Sequence, residues 1–254
     1  MPSAPIIAAL ALPSGSLVEQ RVPKKLLIEQ GTPAAGDKKQ VQDGLEELHW
    51  HAALKPGTIG VPAFTDATRD YLEIAVLVAT LRPLAKRTRL VELIHRAIPY
   101  PVFLLTLQGE CVSVSVAHKR WSQGEAGQVV LDDSVITTEP FNPGKPAPRH
   151  TAFLSGLSVT AQPATHLYAL YHGWLARVTA LLAAGITGRV DSVAEPIGGY
   201  EARRAALAEH GRLSTELAGL RATATKEKQL NRRVELNLAV RRLESQLQSL
   251  SNSL

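Results

Sequence analysis

Glu73 stands directly before the apolar run Ile74-Ala75-Val76-Leu77-Val78, so a carboxylate sits where a strand begins. Metal-dependent cleavage of a phosphodiester needs two carboxylates to hold the ion. It also needs a lysine, two positions after the second carboxylate, to stabilise developing charge. No lysine occupies that place after a strand carboxylate in this region, and the set is incomplete. His49 and His51 lie two apart and point in different directions on a helix, which is poor geometry for one metal ion. His95, His118 and His172 are isolated in sequence and read as structural. Ser155 in Leu154-Ser155-Gly156-Leu157 lacks the flanking glycines of a nucleophile elbow. Gly198-Gly199, preceded by Pro196, lacks the Gly-Lys-Ser or Gly-Lys-Thr phosphate cradle and reads as a hinge. No catalytic, metal-binding or cofactor-binding residue is assigned, and no cofactor is expected.

The remaining chemistry is electrostatic. Lys24, Lys25, Lys119, Arg120, Arg232 and Arg233 are candidates for phosphate contact, and Tyr100 and Trp121 could add a stacking surface. The formal net charge is +5, which permits weak, sequence-independent DNA binding at low salt but does not demand it. From residue 201 onward there are 10 Lys or Arg against 6 Asp or Glu, so most of the surplus lies there. Ile98-Pro99-Tyr100-Pro101 forces a stiff extended turn, with Tyr100-Pro101 a candidate cis bond.

Residues 201–254 read as one long coiled-coil-type helix. Leu213, Leu217, Leu220 and Ala224 form one seam, and Leu236, Val240, Leu243, Leu247, Leu250 and Leu254 form a second after a slip in register. Such a helix cannot bury its seam alone, so Leu236, Val240, Leu243, Leu247 and Leu250 are expected to dock on another helix. Asn231 and Asn237, in or beside the seam, would set its register.

Upstream, Val22 to Ile28 reads as a strand. Asp37 opens a helix through about His51, with Val41, Leu45, Leu48 and Ala52 on its inner face, and a short strand is expected over residues 58–61. Residues 70–81 read as a central strand buried on both faces. A helix follows and stops at Ile98, and a hairpin turns at Gln108-Gly109-Glu110. A further strand spans 129–138, the four prolines of 140–148 read as a linker or arm, and Pro163 opens an apolar-faced helix through Ala184. The fold class is therefore α+β, a mixed α/β core followed by the long C-terminal helix. Its divisions are a core over 1–139, a Pro-rich linker over 140–162, a packing helix with hinge over 163–200, and the coiled-coil helix over 201–254.

Three blocks carry a resemblance. They are Val22-Pro23-Lys24-Lys25 with His49-Trp50-His51-Ala52-Ala53-Leu54-Lys55-Pro56-Gly57-Thr58-Ile59, ending in the strand at Leu72-Glu73-Ile74, then Ala97-Ile98-Pro99-Tyr100-Pro101-Val102-Phe103, then Glu227-Lys228-Gln229-Leu230-Asn231-Arg232-Arg233-Val234-Glu235-Leu236-Asn237 within the long helix. Together they resemble a bacterial domain-of-unknown-function family whose genes often sit beside DNA methyltransferases and helicases in phage-defence or restriction islands. That resemblance implies a context and no catalytic residue. The element order also looks like the core of restriction-type nucleases. The reading is thus a non-catalytic accessory subunit of a defence or restriction-modification system, partnered by the helicase or methyltransferase or by a second copy of itself. The alternative is a divergent nuclease-like enzyme. A lone Cys111, an N-terminal apolar run with no basic residue before it, and no apolar stretch of membrane-spanning length point to the cytoplasm and to no membrane partner.

Overall fold

A computed structural model describes residues 2–31, 34–125, 127–190 and 199–254. Of the expected hinge, Pro196 and Gly198 lie outside the described residues. The chain begins with α1 (Ala4–Leu10), β1 (Leu17–Arg21), α2 (Lys24–Gly31), α3 (Ala35–Gly44), β2 (Leu45–Leu54), α4 (Pro56–Ile59), β3 (Phe64–Thr65) and β4 (Asp70–Tyr71). Then come β5 (Ile74–Leu81), α5 (Arg87–Ala97), β6 (Val102–Gln108), β7 (Cys111–Val116), β8 (Lys119–Trp121), β9 (Val129–Leu131) and β10 (Ile136–Thr137). The last helices are α6 (Pro148–Ser155), α7 (Leu167–Thr187), α8 (Tyr200–Lys226) and α9 (Leu230–Ser253).

The main sheet has six strands in the order β1-β2-β5-β6-β7-β10. Strand β5 lies inside it, antiparallel to β2 and parallel to β6, and its apolar run is buried on both faces as expected. Helix α5 makes the crossover that parallel pairing requires. With α2 and α3 it covers one face, where Leu27, Val41, Leu90 and Ile94 meet Ala75, Leu77 and Leu104. Helices α1, α6 and α7 cover the other, where Ile6, Phe153, Tyr171 and Trp174 meet Ile74, Val76, Phe103 and Val114. The hairpin β6–β7 turns at Gly109, whose φ of 64° lies in the left-handed region. Helix α5 ends at the expected place, with Ile98 extended ahead of Pro99.

Several local expectations are corrected. Residues 24–31 are helical rather than extended. Leu27 and Gly31, four apart, both face α5, and a Cβ on Gly31 would lie 2.6 Å from the Ala97 Cβ. The helix expected from Asp37 to His51 ends at Gly44 and becomes β2. Two bulges interrupt β2, between Leu45 and Glu47 and between Trp50 and Ala52. Each inserted residue shifts the alternation, so Leu45 and Leu48 share one face while Ala52 and Leu54 lie on the other. The resulting steps of three and four imitate a helix.

Residues 56–59 form one helical turn instead of a strand, and the 129–138 segment divides into β9 and β10. The proline-rich stretch, expected as a linker or arm, is held against the sheet at Phe141. Phe141 exchanges backbone hydrogen bonds with Val112 at 2.9 and 3.0 Å, and its side chain is buried with Phe153 and Leu157. Tyr100-Pro101 is trans, because the described bonds include no cis peptide. Finally, the single helix of 201–254 is broken at residues 227–229 into α8 and α9.

The close approach at Gly31 gives a direct test. Gly31→Ala should lower the unfolding free energy by about 1–3 kcal/mol through overpacking against Ala97 and the Leu93 carbonyl. Gly36→Ala, where an added Cβ meets nothing within 4 Å, should leave it unchanged or raised, as read from urea midpoints.

Candidate functional site

Helices α8 and α9 fold back on each other. Leu213, Leu217 and Leu243 are buried between them, with Leu220, Val240, Leu247 and Leu250 partly buried alongside. The pairing is antiparallel: Arg221, late in α8, bonds Glu244 at 2.7 Å, whereas the earlier Glu209, Arg212 and Leu213 border a groove with the later Ser249 and Leu250. The seam expected to need a foreign helix is therefore filled by the chain's own preceding helix. The slip in register falls at the turn, where Glu227 is extended and its side chain accepts from the Gln229 amide at 2.8 Å.

The hairpin is rooted in the core. Tyr200, at the start of α8, is buried and meets the His172 ring edge to face at 4.4 Å. Arg204, one turn on, pairs with Asp133. Behind them the Tyr71 hydroxyl lies 2.5 Å from His118 Nδ1, and His118 Nε2 lies 3.4 Å from His172 Nδ1. Burial raises the Tyr71 pKa, so its hydroxyl keeps its proton and donates to Nδ1. Burial, aided by His172, pushes His118 down to about 3, and its ring is neutral. Asp132 holds Arg69 at 2.6 Å and Arg120 at 3.2 Å, and Arg69 also lies over the Tyr168 ring at 5.5 Å. His118, Asp132, Asp133, Tyr200 and Arg204 border a cavity of about 170 Å³. Every charge there has a partner of opposite sign, and the cluster fastens the hairpin to the sheet and to α7.

The expected phosphate contacts are dispersed over three elements. Lys24 and Lys25 open α2, and Lys24 donates to the Gln42 carbonyl at 3.3 Å. Lys119 is not a surface residue; it is 1% exposed, and its amine donates to the carbonyls of Ile98 at 2.8 Å and of His95. It thereby satisfies two carbonyls at the C-terminal end of α5. Burial lowers its pKa to about 7, against the pull of those carbonyls toward the cation. Arg120 is taken by Asp132, while Arg232 and Arg233 lie exposed in the first turn of α9. Asn231 and Asn237 are exposed and outside the seam, so neither can set its register. They sit about 140° and 100° around the helix from Leu236.

Two further features escaped sequence reasoning. His95 is fully buried, with Nε2 2.9 Å from the Ser115 hydroxyl, and no periodicity marks such a pair. Glu73, the carboxylate that suggested metal chemistry, is buried and bonded to Lys55 at 3.0 Å, while β5, β6 and β7 carry no Asp or Glu. His49 and His51 lie on β2 and pair with Glu47 at 2.8 Å and Glu19 at 2.7 Å. Among the described residues no group of three His, Cys, Asp or Glu is placed to hold a metal ion, and no helix is long and apolar enough to cross a membrane.

Residues 10–247 match the family described as Domain of unknown function (DUF4391). The chain belongs to the DUF4391 family. The match runs from the N-terminal helix through most of α9, so sheet, root cluster and hairpin all fall within the family's domain. No curated protein and no solved structure matches the chain.

Two measurements test this site. Lys119→Met leaves two buried carbonyls without a donor and should cost about 1–3 kcal/mol of stability, with DNA retention at low salt unchanged. Loss of DNA retention at unchanged stability would return Lys119 to the surface. The second concerns pH. His95, which burial and nearby Lys119 push down to about 3, stays neutral in the fold but is protonated in the unfolded chain below about 6.5. The unfolded state then binds the extra proton, so stability falls as pH drops through that window. The slope is up to about 1.4 kcal/mol per pH unit from His95, with His118 acting in the same direction. Urea unfolding at pH 6.5 and 5.0, above the main carboxylate range, should show the fall; a flat profile would contradict the neutral, buried assignments.

Proposed function

We propose that this chain is a non-catalytic accessory subunit of a bacterial phage-defence or DNA restriction-modification system, acting in the cytoplasm by holding a protein partner on the α8–α9 hairpin. The partner in this reading is the helicase or DNA methyltransferase of the same system. One observation supports it above others. A hairpin fixed at its root by Tyr200 and Arg204 carries its turn and distal half outside the core, where Leu230, Val234 and Leu238 remain exposed. Val240, Leu243, Leu247 and Leu250 then serve the partner indirectly, by giving the hairpin its shape, whereas Leu236 lies outside that cluster. The positive charge on α9 could still add weak, salt-sensitive contact with DNA.

Co-elution of the full chain with that helicase or methyltransferase, produced from the same host, tests the proposal. Changing both Leu243→Asp and Leu247→Asp should open the hairpin and abolish co-elution. Fluorescence of Trp50, Trp121 and Trp174, all outside the hairpin, should stay native. Undiminished co-elution in the double variant, or Mg²⁺- or Mn²⁺-dependent cleavage of plasmid DNA by the purified chain, would overturn the reading.

A further inference from the structure

Helix α9 has two apolar faces, and among the described residues only one packs against another helix. At 3.6 residues per turn, Val234 lies about 180° around the axis from Leu243, and Leu230 and Leu238 each about 140° away. Leu243 is buried against α8, whereas Leu230 is 64% exposed and Val234 and Leu238 are each 50% exposed. Their spacing of four residues lines them up as one stripe two turns long. The stripe is set in positive charge. Between residues 221 and 242 there are seven Lys or Arg and two Asp or Glu. Arg221 and Arg232 are engaged by Glu244 and Glu227, but Arg233, Arg241 and Arg242 make no ion pair among the described residues. Arg241 lies on the outer face itself, about 160° from Leu243, and Arg233 and Arg242 flank it.

We infer that the outer face of α9 is a docking surface for an amphipathic helix that presents an apolar stripe edged with Asp or Glu. This deepens, and rests on, the reading of the hairpin as the partner-binding element. The occupant follows from what the face combines. An apolar stripe gains by burial against another such stripe, and phosphates offer nothing to bury it. Edges rich in unpaired arginine favour acidic flanks. A second copy of the same face would bring like charge against like charge, which disfavours self-pairing.

The probe is a synthetic helical peptide of about six turns with leucines at every fourth and third position and glutamates beside them. A second peptide has each glutamate replaced by lysine. Fluorescence anisotropy with the full chain should show binding of the glutamate peptide that weakens as salt rises, and at least tenfold weaker binding of the lysine peptide. Changing Val234→Gln with Leu238→Gln, and separately Arg241→Gln with Arg242→Gln, should each weaken the glutamate peptide about tenfold or more. Helix content by circular dichroism should stay unchanged, since all four side chains lie outside the seam. Equal binding of both peptides, no binding of either, or variants that leave the affinity intact would overturn the inference. So would duplex DNA that binds this face in place of the peptide, or a dimer in light scattering that the Val234→Gln, Leu238→Gln variant dissociates. Should the peptide fail while co-elution with the helicase or methyltransferase persists and still needs Leu243 and Leu247, only this face is removed. Should co-elution fail as well, the hairpin reading falls with it.

Discussion

Strand β5 carries Ile74 to Leu81 with no side chain more polar than threonine, and its backbone pairs with β2 on one side and β6 on the other. A strand apolar on both faces cannot lie at the surface, so helices must cover it from two directions. The parallel partner β6 requires a crossover, which α5 supplies on one face. The other face is left for α7, whose Tyr171 and Trp174 are fully buried against it. The layered architecture is the result of these demands, and the positions of the later elements derive from it.

Such a layered core encloses polar groups that need partners. The Tyr171 hydroxyl donates to the Val102 carbonyl at 2.7 Å and accepts from the Ala117 amide at 2.8 Å, joining α7 to the start of β6 and the end of β7. Lys119 ties β8 to the end of α5 on the opposite side. These bonds fix the short segment from Ala117 to Arg120, and that segment positions His118 and Arg120 beside Tyr71, Asp132 and His172. The hairpin's anchorage at Tyr200 thus depends on polar contacts made at the sheet, and a change at Lys119 would reach the hairpin through His118.

The hairpin resolves the problem of an amphipathic helix with no neighbour. Each half of residues 201–254 has an apolar edge too narrow for independent stability, and folding back pairs the two edges without a second chain. What it leaves exposed is a second apolar stripe on α9 among arginines, on the part of the molecule with the greatest charge surplus.

Elements whose signals are local and strong are legible without the fold. The apolar run of β5, the proline that stops α5, the glycine turn between β6 and β7, and the wide apolar face of α7 follow from residue type and spacing alone. The leucine seams of α8 and α9 were equally legible, since helical periodicity needs no knowledge of the partner. Tertiary structure decided the rest. The bulges of β2 exist because the strand must serve opposite faces of one sheet, and their spacing cannot be told from a helix in sequence. Lys119 looks like surface charge until α5 ends beside it. The partner of each leucine seam is set by a turn at residues 227–229 that no glycine or proline marks. A one-dimensional pattern records that a face must be covered; only the folded chain decides what covers it, because burial depends on which surfaces meet in space.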